Sequence, residues 1–141
     1  MTKKEKELLS KDLCARLYYG IKGLHRGQVH ILKTMDWGYD RMSIKVDGYD
    51  AWFPIDSFKP YLRSMSSMTE EEKKEYHKQV DIDLDRTAEA LRERFETGTF
   101  HPENRFTPQY CHIDWLNANH FDYCGLIEKG LALEAPEGMY K

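Results

Sequence analysis

The chain has 141 residues, of which 40% are hydrophobic and 13% aromatic, and it carries a net charge of −3. This composition suffices for one compact domain, and no apolar run approaches the roughly 18 residues that a membrane span needs. Charges interrupt the N-terminal stretch where a signal peptide would be apolar, and three widely spaced cysteines favour reduced thiols, so we expect a soluble cytoplasmic protein.

Residues 1–10 predict a short N-terminal arm, and residues 11–64 predict a small antiparallel β-unit. The stretch LCARLYYG, residues 13–20, has the pattern of a strand that ends at a glycine. QVHILK, residues 28–33, alternates apolar and polar residues as a half-buried strand should, and a similar alternation ends at Val46. These patterns favour strands in this half of the chain.

The rest of the β-unit predicts a hairpin and a final strand. Asp47-Gly48 is a dipeptide that two-residue hairpin turns prefer, because both positions tolerate positive φ, and YDAWF, residues 49–53, returns as the partner strand. PIDSFKPYL, residues 54–62, predicts one 3₁₀ turn and a short last strand. Four or five short strands joined by hairpins favour a small barrel resembling the SH3 type.

Residues 65–141 alternate short helices and loops, which together with the β-unit predicts the fold class α+β in a single compact unit. Thr69 and Glu72 have the spacing of a capping box at the clearest helix start. In QVDIDLD, residues 79–85, apolar residues alternate with aspartates as on a strand with one wet face. Asp85 is then placed to cap a following helix.

The end of the chain predicts a docking segment. Asp122 is placed to start a last short helix, and Gly130 is placed to end it. The apolar residues of this region have to be buried, either on the chain's own β-unit or on a partner, and we favour its own. The docking element comprises Trp115, Leu116, Leu126, Ile127 and Leu131.

Two groups of potential metal ligands are present, and neither completes a known pattern. The first resembles the opening of a calcium loop, but arginines stand where such a loop needs glycine and glutamate. It comprises Asp81, Asp83 and Asp85, followed by Arg86 and Arg92. The second, the only candidate for a transition metal, lacks a CxxC or HExxH motif. It comprises Cys111, His112, His120 and Cys124. We predict no metal and no cofactor.

The sequence holds no recognisable catalytic pattern. GxSxG, GxGxxG and GxxxxGK[ST] are absent, and no cysteine lies in a known nucleophile signature. The acidic residues form charge runs such as Glu70–Glu72, which are typical of solvated helix starts. We therefore predict a protein without enzymatic activity.

Positive charge is concentrated at the start of the chain. Residues 1–46 hold ten Lys/Arg and five Asp/Glu, whereas residues 47–141 hold eleven and nineteen. This split is consistent with a nucleic-acid face, with two halves that attract each other, or with solvated charge. The candidate binding face interleaves basic and aromatic residues, as surfaces that stack single-stranded bases do, although the same rings could instead fill a small barrel. It comprises Arg16, Tyr18, Lys22, Arg26, Lys33, Trp37, Arg41 and Lys45.

Two long stretches carry a resemblance to a known family. They are KPYLRSMSSMTEEEKKEY, residues 59–76, and DWLNANHFDYCGLIEKGLALEAPEGMY, residues 114–140, with a weaker match in KDLCARLYYG, residues 11–20. In these stretches the chain resembles a family of small uncharacterised proteins of Bacteroides-type gut bacteria and their phages and prophages. The resemblance implies a bacterial cytoplasm and a mobile-element context, and it implies no activity. Relatives typically have arginine at the position of Cys124, which weakens that residue as a metal ligand.

These features predict a non-catalytic interaction or adaptor protein of phage or mobile-element origin that binds a host or phage macromolecule. A protein partner is favoured, and no membrane partner is expected. The alternative is a nucleic-acid-binding small-barrel module that uses the basic first half of the chain.

Overall fold

The structure is a computed structural model, and it describes residues 1–37, 42–97 and 111–140. Its helices and its mainly antiparallel sheet confirm the α+β class that the sequence predicts. Residue contacts divide the chain into two compact units. The first unit comprises Met1–Ser67 with Asn117–Lys141, and the second comprises Met68–Leu116.

An open sheet organises the first unit. Its strands are β1 (Lys22–His25), β2 (Gln28–Trp37), β3 (Met42–Val46), β4 (Phe53–Pro54), β5 (Phe58–Ser64), β6 (Phe121–Asp122) and β7 (Leu133–Glu134). They lie in the order β4-β3-β2-β1-β5-β6, and β7 also pairs with β5. Strands β1 to β5 pair antiparallel, whereas β6 and β7 run parallel to β5.

Among the described residues, one α-helix precedes the strands in the sequence, and two more lie between β5 and β6. They are α1 (Lys3–Arg16), α2 (Glu70–Thr97) and α3 (Cys111–Ala118), with 3₁₀ turns at Leu17–Tyr19, Ile55–Ser57 and Met65–Ser67. Within the described part of the chain, none of the helices combines the length and the apolar character needed to cross a membrane.

The core of the first unit joins α1, the sheet and the C-terminal segment. Leu13 of α1, Leu62 of β5 and Leu126 near the chain's end are all fully buried in one cluster. Gly23 of β1 lies against the ring of Phe58, where any larger residue would collide with that ring. Burying each large apolar side chain contributes about 1.5–3 kcal/mol, so this cluster holds the two stretches of the unit together.

The strand predicted at residues 13–20 is wrong, because this stretch completes α1 and continues into a 3₁₀ turn. A capping box starts the helix: the Glu5 N–H donates to Thr2 Oγ1 at 3.2 Å, and the Thr2 N–H donates to Glu5 Oε2 at 2.7 Å. Leu9 and Leu13 follow at helical spacing, and both are fully buried. The helix therefore runs through the predicted boundary between arm and β-unit.

The strand predicted at residues 79–85 is also wrong, because these residues lie inside α2, and Asp85 caps no helix start. Leu84 is 61% exposed, so the alternation in this stretch does not mark a buried strand face. The capping box at the start of α2 is confirmed: the Glu72 N–H donates to Thr69 Oγ1, and the Thr69 N–H donates to Glu72 Oε1.

The last helix, predicted between Asp122 and Gly130, is wrong as well, because turns occupy this stretch. The buried Asp122 carboxylate accepts the N–H groups of Leu126 at 2.9 Å and Ile127 at 3.0 Å. Positive φ angles at Gly125 and Gly130 bend the chain around these contacts. The aspartate therefore organises a compact turn instead of a helix start.

Beyond residues 13–20, the β-unit also differs from the prediction in its loops. Asp47-Gly48 begins a connection over residues 47–52 instead of forming a two-residue turn. The predicted 3₁₀ turn is present at Ile55–Ser57, and β5 follows it as expected. The sequence also predicts a turn around Gly38 and the end of a helix at Gly98, and both glycines lie outside the described residues. The sheet is open, and the resemblance to an SH3-type barrel stays a prediction.

Candidate interaction site

A tight turn between β1 and β2 holds Arg26 in an unusual backbone conformation. His25 and Gln28 pair across the hairpin, so the turn consists of Arg26, with φ of 51°, and Gly27, with φ of 77°. Two positive φ angles are the mark of a type I′ hairpin turn, in which Asn-Gly is favoured. An arginine in the left-handed region costs about 1 kcal/mol.

Arg26 lies over an aromatic cluster formed by His25, His30, Tyr49 and Phe53. The ring centroids of His25 and Phe53 are 4.4 Å apart, and those of Tyr49 and Phe53 are 5.4 Å apart. The Arg26 Cζ atom lies 4.7 Å from the Phe53 centroid and 5.8 Å from the Tyr49 centroid. Each such cation–π contact contributes about 0.5–1 kcal/mol at an exposed site, which is enough to offset the strain of the turn.

The two histidines of the cluster have defined tautomers. His25 Nδ1 lies 3.1 Å from the Ser57 carbonyl oxygen, and His30 Nδ1 lies 3.1 Å from the Asp47 carbonyl oxygen. Because these partners only accept, each Nδ1 carries the proton and donates. Each Nε2 atom is enclosed and has no hydrogen-bond partner among the described residues. Buried polar groups normally have a hydrogen-bond partner, so these two Nε2 atoms are exceptions within the fold.

Asp47 connects the cluster to the backbone of β2. Its Oδ1 atom accepts the Ile31 N–H at 2.8 Å and lies 3.2 Å from His30 Nδ1. The bond from Ile31, with a smaller contribution from His30, lowers the pKa of the Asp47 carboxyl below its usual value. The loop that begins at Asp47 is thus fastened at its start, and it carries Tyr49.

A second cation–aromatic pair lies at the other end of this loop. Lys45 Nζ is 5.0 Å from the centroid of the Trp52 ring and 3.5 Å from Asp50 Oδ1. Phe53 packs against the core, whereas Trp52 is 47% exposed and Tyr49 is 38% exposed. The exposed residues Arg26 and Tyr49 contact each other, whereas Trp52 belongs to the separate pair with Lys45. We call Arg26, at the β1–β2 turn, and Tyr49 and Trp52, in the loop after β3, the hairpin patch.

One residue of the predicted binding face, Arg16, is buried inside the fold. Arg16 is fully buried, because the helical turn of α1 directs it inward. Its Nε and Nη2 atoms donate to the Asp12 carboxylate at 2.8 and 3.0 Å, and Nη2 also donates to the Phe121 carbonyl oxygen at 2.6 Å. Arg16 therefore holds β6 onto α1 and is removed from the candidate face.

The remaining predicted residues are distributed over the first unit. Lys22 is partly buried and its Nζ donates to the Met139 carbonyl oxygen at 2.9 Å. Tyr18 is 92% exposed, and Lys33 is exposed. Arg26 and Lys45 lie at the two cation–aromatic pairs. Trp37 belongs to β2, but its side chain and the whole of Arg41 lie outside the described part.

The predicted docking element is divided between the two units. In the first unit, Leu126 and Leu131 lie in the core and Ile127 packs against it, so this segment is buried in its own fold. In the second unit, Leu116 is buried and the Trp115 ring lies 5.9 Å from that of Tyr76. None of these five residues offers a large exposed apolar surface.

Asp83 brings two helices of the second unit together. Its carboxylate accepts the N–H groups of Cys111 and His112, each at 2.8 Å, and also bonds His112 Nδ1. Burial alone would raise the pKa of Asp83, but these hydrogen bonds outweigh it and lower the pKa to about 2. The aspartate therefore caps the start of α3 from within α2.

The other candidate metal ligands are not brought together among the described residues. Among residues 1–37, 42–97 and 111–140, no three His, Cys, Asp or Glu side chains come together in a geometry that could hold a metal ion. His120 instead stacks on the ring of Tyr140, with centroids 3.7 Å apart. Burial, together with the charges of Arg16, Arg63 and Lys22, lowers the pKa of His120 to about 4.

The sequence-based reasoning missed Tyr49 and Trp52, the two aromatic members of the hairpin patch. It assigned YDAWF, residues 49–53, to a strand, in which alternate side chains would be buried. The available signal was the density of aromatic residues directly after the Asp47-Gly48 dipeptide, because loops positioned by a rigid sheet often carry binding residues.

Comparison with known proteins adds no relative. Searches against protein families, curated proteins and solved structures each return no match.

Proposed function

We propose that the chain is a non-catalytic interaction protein of phage or mobile-element origin that works in a bacterial cytoplasm and binds a protein partner through the hairpin patch. The observation that carries this proposal is the patch itself. Arg26, Tyr49 and Trp52 are exposed, and each is held in a cation–aromatic pair. The origin rests on the resemblance of residues 59–76 and 114–140.

The composition of the patch supports a protein partner. Trp, Tyr and Arg are the residue types that most often dominate binding energy at protein interfaces. Large rings that are already fixed lose little conformational entropy on binding. Their exposure on a small protein also leaves apolar area that a partner would remove from water.

Nucleic-acid binding through the basic first half is the competing proposal, and the arrangement of charge supports it less. Arg16 is buried with Asp12, Lys6 lies 3.6 Å from Asp56, and Lys45 is paired with Asp50. Internal pairing of this kind reduces the positive potential that phosphate binding requires. Other cations, such as Lys33, are exposed and could still contact phosphate groups.

Quantitative capture from a lysate of a Bacteroides-type bacterium, followed by titration of each captured protein in purified form, tests the protein-binding proposal. Trp52→Ala should weaken the affinity of the true partner by about tenfold or more, since central aromatic residues dominate interfaces. Tyr18→Ala is the matched control, because Tyr18 is even more exposed, at 92%, and lies outside the patch.

The outcomes separate the two proposals. Loss of affinity with Trp52→Ala and an unchanged affinity with Tyr18→Ala support the patch. If no purified partner responds to Trp52→Ala, and single-stranded DNA or RNA binds with a steep salt dependence, the nucleic-acid proposal replaces the protein-binding one. Turnover of a substrate that one point mutation abolishes would contradict the non-catalytic part.

A further inference from the structure

The identity of the residue at the tip of the β1–β2 hairpin is not explained by the turn. Few residues other than glycine adopt positive φ, and those that do are mostly Asn and Asp. Arg26 nevertheless occupies the first turn position with φ of 51°. Sparsely populated backbone conformations that a structure maintains are concentrated at functional sites, so the role of Arg26 has to be sought in its side chain.

The side chain of Arg26 is fixed on one face and open at its edge. Its guanidinium lies over Phe53 and Tyr49, at 4.7 and 5.8 Å from the ring centroids. Within the described part of the chain it makes no hydrogen bond and no ion pair, and it is exposed. The stacking thus holds the guanidinium in place while its N–H donors remain available to a ligand.

A planar guanidinium edge is complementary to an acceptor with two oxygens, which is a carboxylate or a phosphate. The surrounding charge distinguishes the two. Asp47 lies beside the cluster, where its carboxylate accepts the Ile31 N–H, and Asp50 of the same loop lies 3.5 Å from Lys45 Nζ. These carboxylates repel a nucleic-acid strand, which carries a charge on every phosphate, more strongly than they repel a single acidic side chain.

We propose that Arg26 is a preorganised carboxylate-binding residue, which pairs with an Asp or Glu side chain of a protein partner while a neighbouring apolar group of that partner packs on Tyr49. This inference rests on the proposed function, because it names the chemistry of the partner at the same patch. Preorganisation favours the affinity of this pair, since the guanidinium loses little conformational freedom when the two groups meet.

Selection of short random peptides displayed on phage, with the full chain as the target, tests the inference. Enriched peptides should contain Asp or Glu next to an apolar residue. The affinity of a purified peptide should fall about tenfold or more with Arg26→Asn, and equally when the peptide's acid is replaced by its amide. Arg26→Lys should restore only part of the affinity, because an ammonium lacks the planar fork.

Arg26→Asn is a suitable variant because Asn-Gly is the preferred sequence of this turn type, so the hairpin is expected to stay folded. Its circular dichroism and Tm verify this directly. Leu84→Ala serves as the control for an exposed residue outside the patch, because Leu84 is 61% exposed and lies in the second unit, and it should leave peptide affinity unchanged.

Different results refute different statements. If peptides bind with an affinity that Tyr49→Ala reduces but Arg26→Asn does not, the carboxylate inference falls and the proposed function stands. If a phosphopeptide or single-stranded DNA depends on Arg26 and acidic peptides do not, the assignment to carboxylates is wrong. If no peptide is enriched and no patch-dependent partner is captured, both proposals fail.

Discussion

At the scale of single residues, Gly23 lies directly against the ring of Phe58, with no space for a side chain between them. Any side chain on Gly23 would collide with the Phe58 ring, which is fully buried. We expect Gly23→Ala to lower the free energy of unfolding by about 1–3 kcal/mol, as overpacking of a core does. Chemical denaturation measures this change. In a Phe58→Leu background the cost of Gly23→Ala should shrink, and an equal cost in both backgrounds would contradict the contact.

His120 gives the first unit a dependence on pH. Its pKa of about 4 in the folded state lies below the value of about 6.5 in an unfolded chain. As pH falls, the unfolded state therefore binds the proton first. The stability contribution is fully present above pH of about 6.5 and is lost as pH falls to about 4, with a slope of at most about 1.4 kcal/mol per pH unit.

The variant His120→Asn isolates this effect, because asparagine tolerates the positive φ of 63° at this position and does not titrate. Unfolding free energies of the two proteins, measured between pH of about 4 and 7, should converge as pH falls. A difference that stays constant over this range would show that His120 does not titrate as its environment indicates.

At the scale of elements, Asp83 is the residue on which the start of α3 depends. Asp83→Ala removes the acceptor for two backbone N–H groups, and loss of such a cap costs about 0.5–2 kcal/mol. Because the folded-state pKa is about 2, wild-type stabilisation should persist down to pH of about 4 and disappear only below it.

Hydrogen exchange provides a local measurement of this cap. The amides of Cys111 and His112 donate to Asp83, so Asp83→Ala should speed their exchange more than that of amides in β1 and β5. Asp83→Asn keeps one acceptor oxygen and should have a smaller effect. Unchanged exchange at both amides in Asp83→Ala would contradict the capping role.

Some elements could be predicted from the sequence because their signals are local. The capping box of Thr69 and Glu72 and the 3₁₀ turn after Pro54 need only neighbouring residues, and both are present. The box of Thr2 and Glu5 was an equally local signal for α1. The strand pattern at residues 13–20 conflicts with this signal, and the structure follows the capping box.

Other elements could not be predicted because distant residues decide them. Asp83 accepts hydrogen bonds from the start of α3, which is 28 and 29 residues away in the sequence. The alternation of apolar residues and aspartates around it therefore did not indicate a strand. Asp122 likewise bonds the backbone of a turn instead of starting a helix. Tertiary contacts override local propensity in both cases.

At the scale of the whole molecule, the positive charge of residues 1–46 is partly neutralised within the fold. We therefore expect retention on single-stranded DNA to be weak at about 50 mM salt and absent at about 200 mM. Trp52→Ala should leave this retention unchanged, because the hairpin patch is proposed to bind a protein and not the bases of a nucleic acid. Salt-resistant binding that Trp52→Ala removes would contradict the account.

The hairpin patch could be predicted only in part, since it is assembled from separate segments. Arg26 belonged to the predicted face by its charge, but its support comes from Tyr49 and Phe53 across the sheet. Arg16 belonged to the same face by sequence, and the fold buries it. Burial and stacking are properties of the folded chain, and composition alone does not determine them.

Site-specific photocrosslinking tests the central claim most directly. The photoreactive residue p-benzoylphenylalanine replaces Trp52 in one variant and Tyr18 in the other, and both variants are irradiated in living bacterial cells. Because Trp52 belongs to the hairpin patch and Tyr18 does not, we predict a discrete protein adduct from position 52 that position 18 does not form. The same adduct from both positions, or adducts to RNA alone from position 52, would contradict the account.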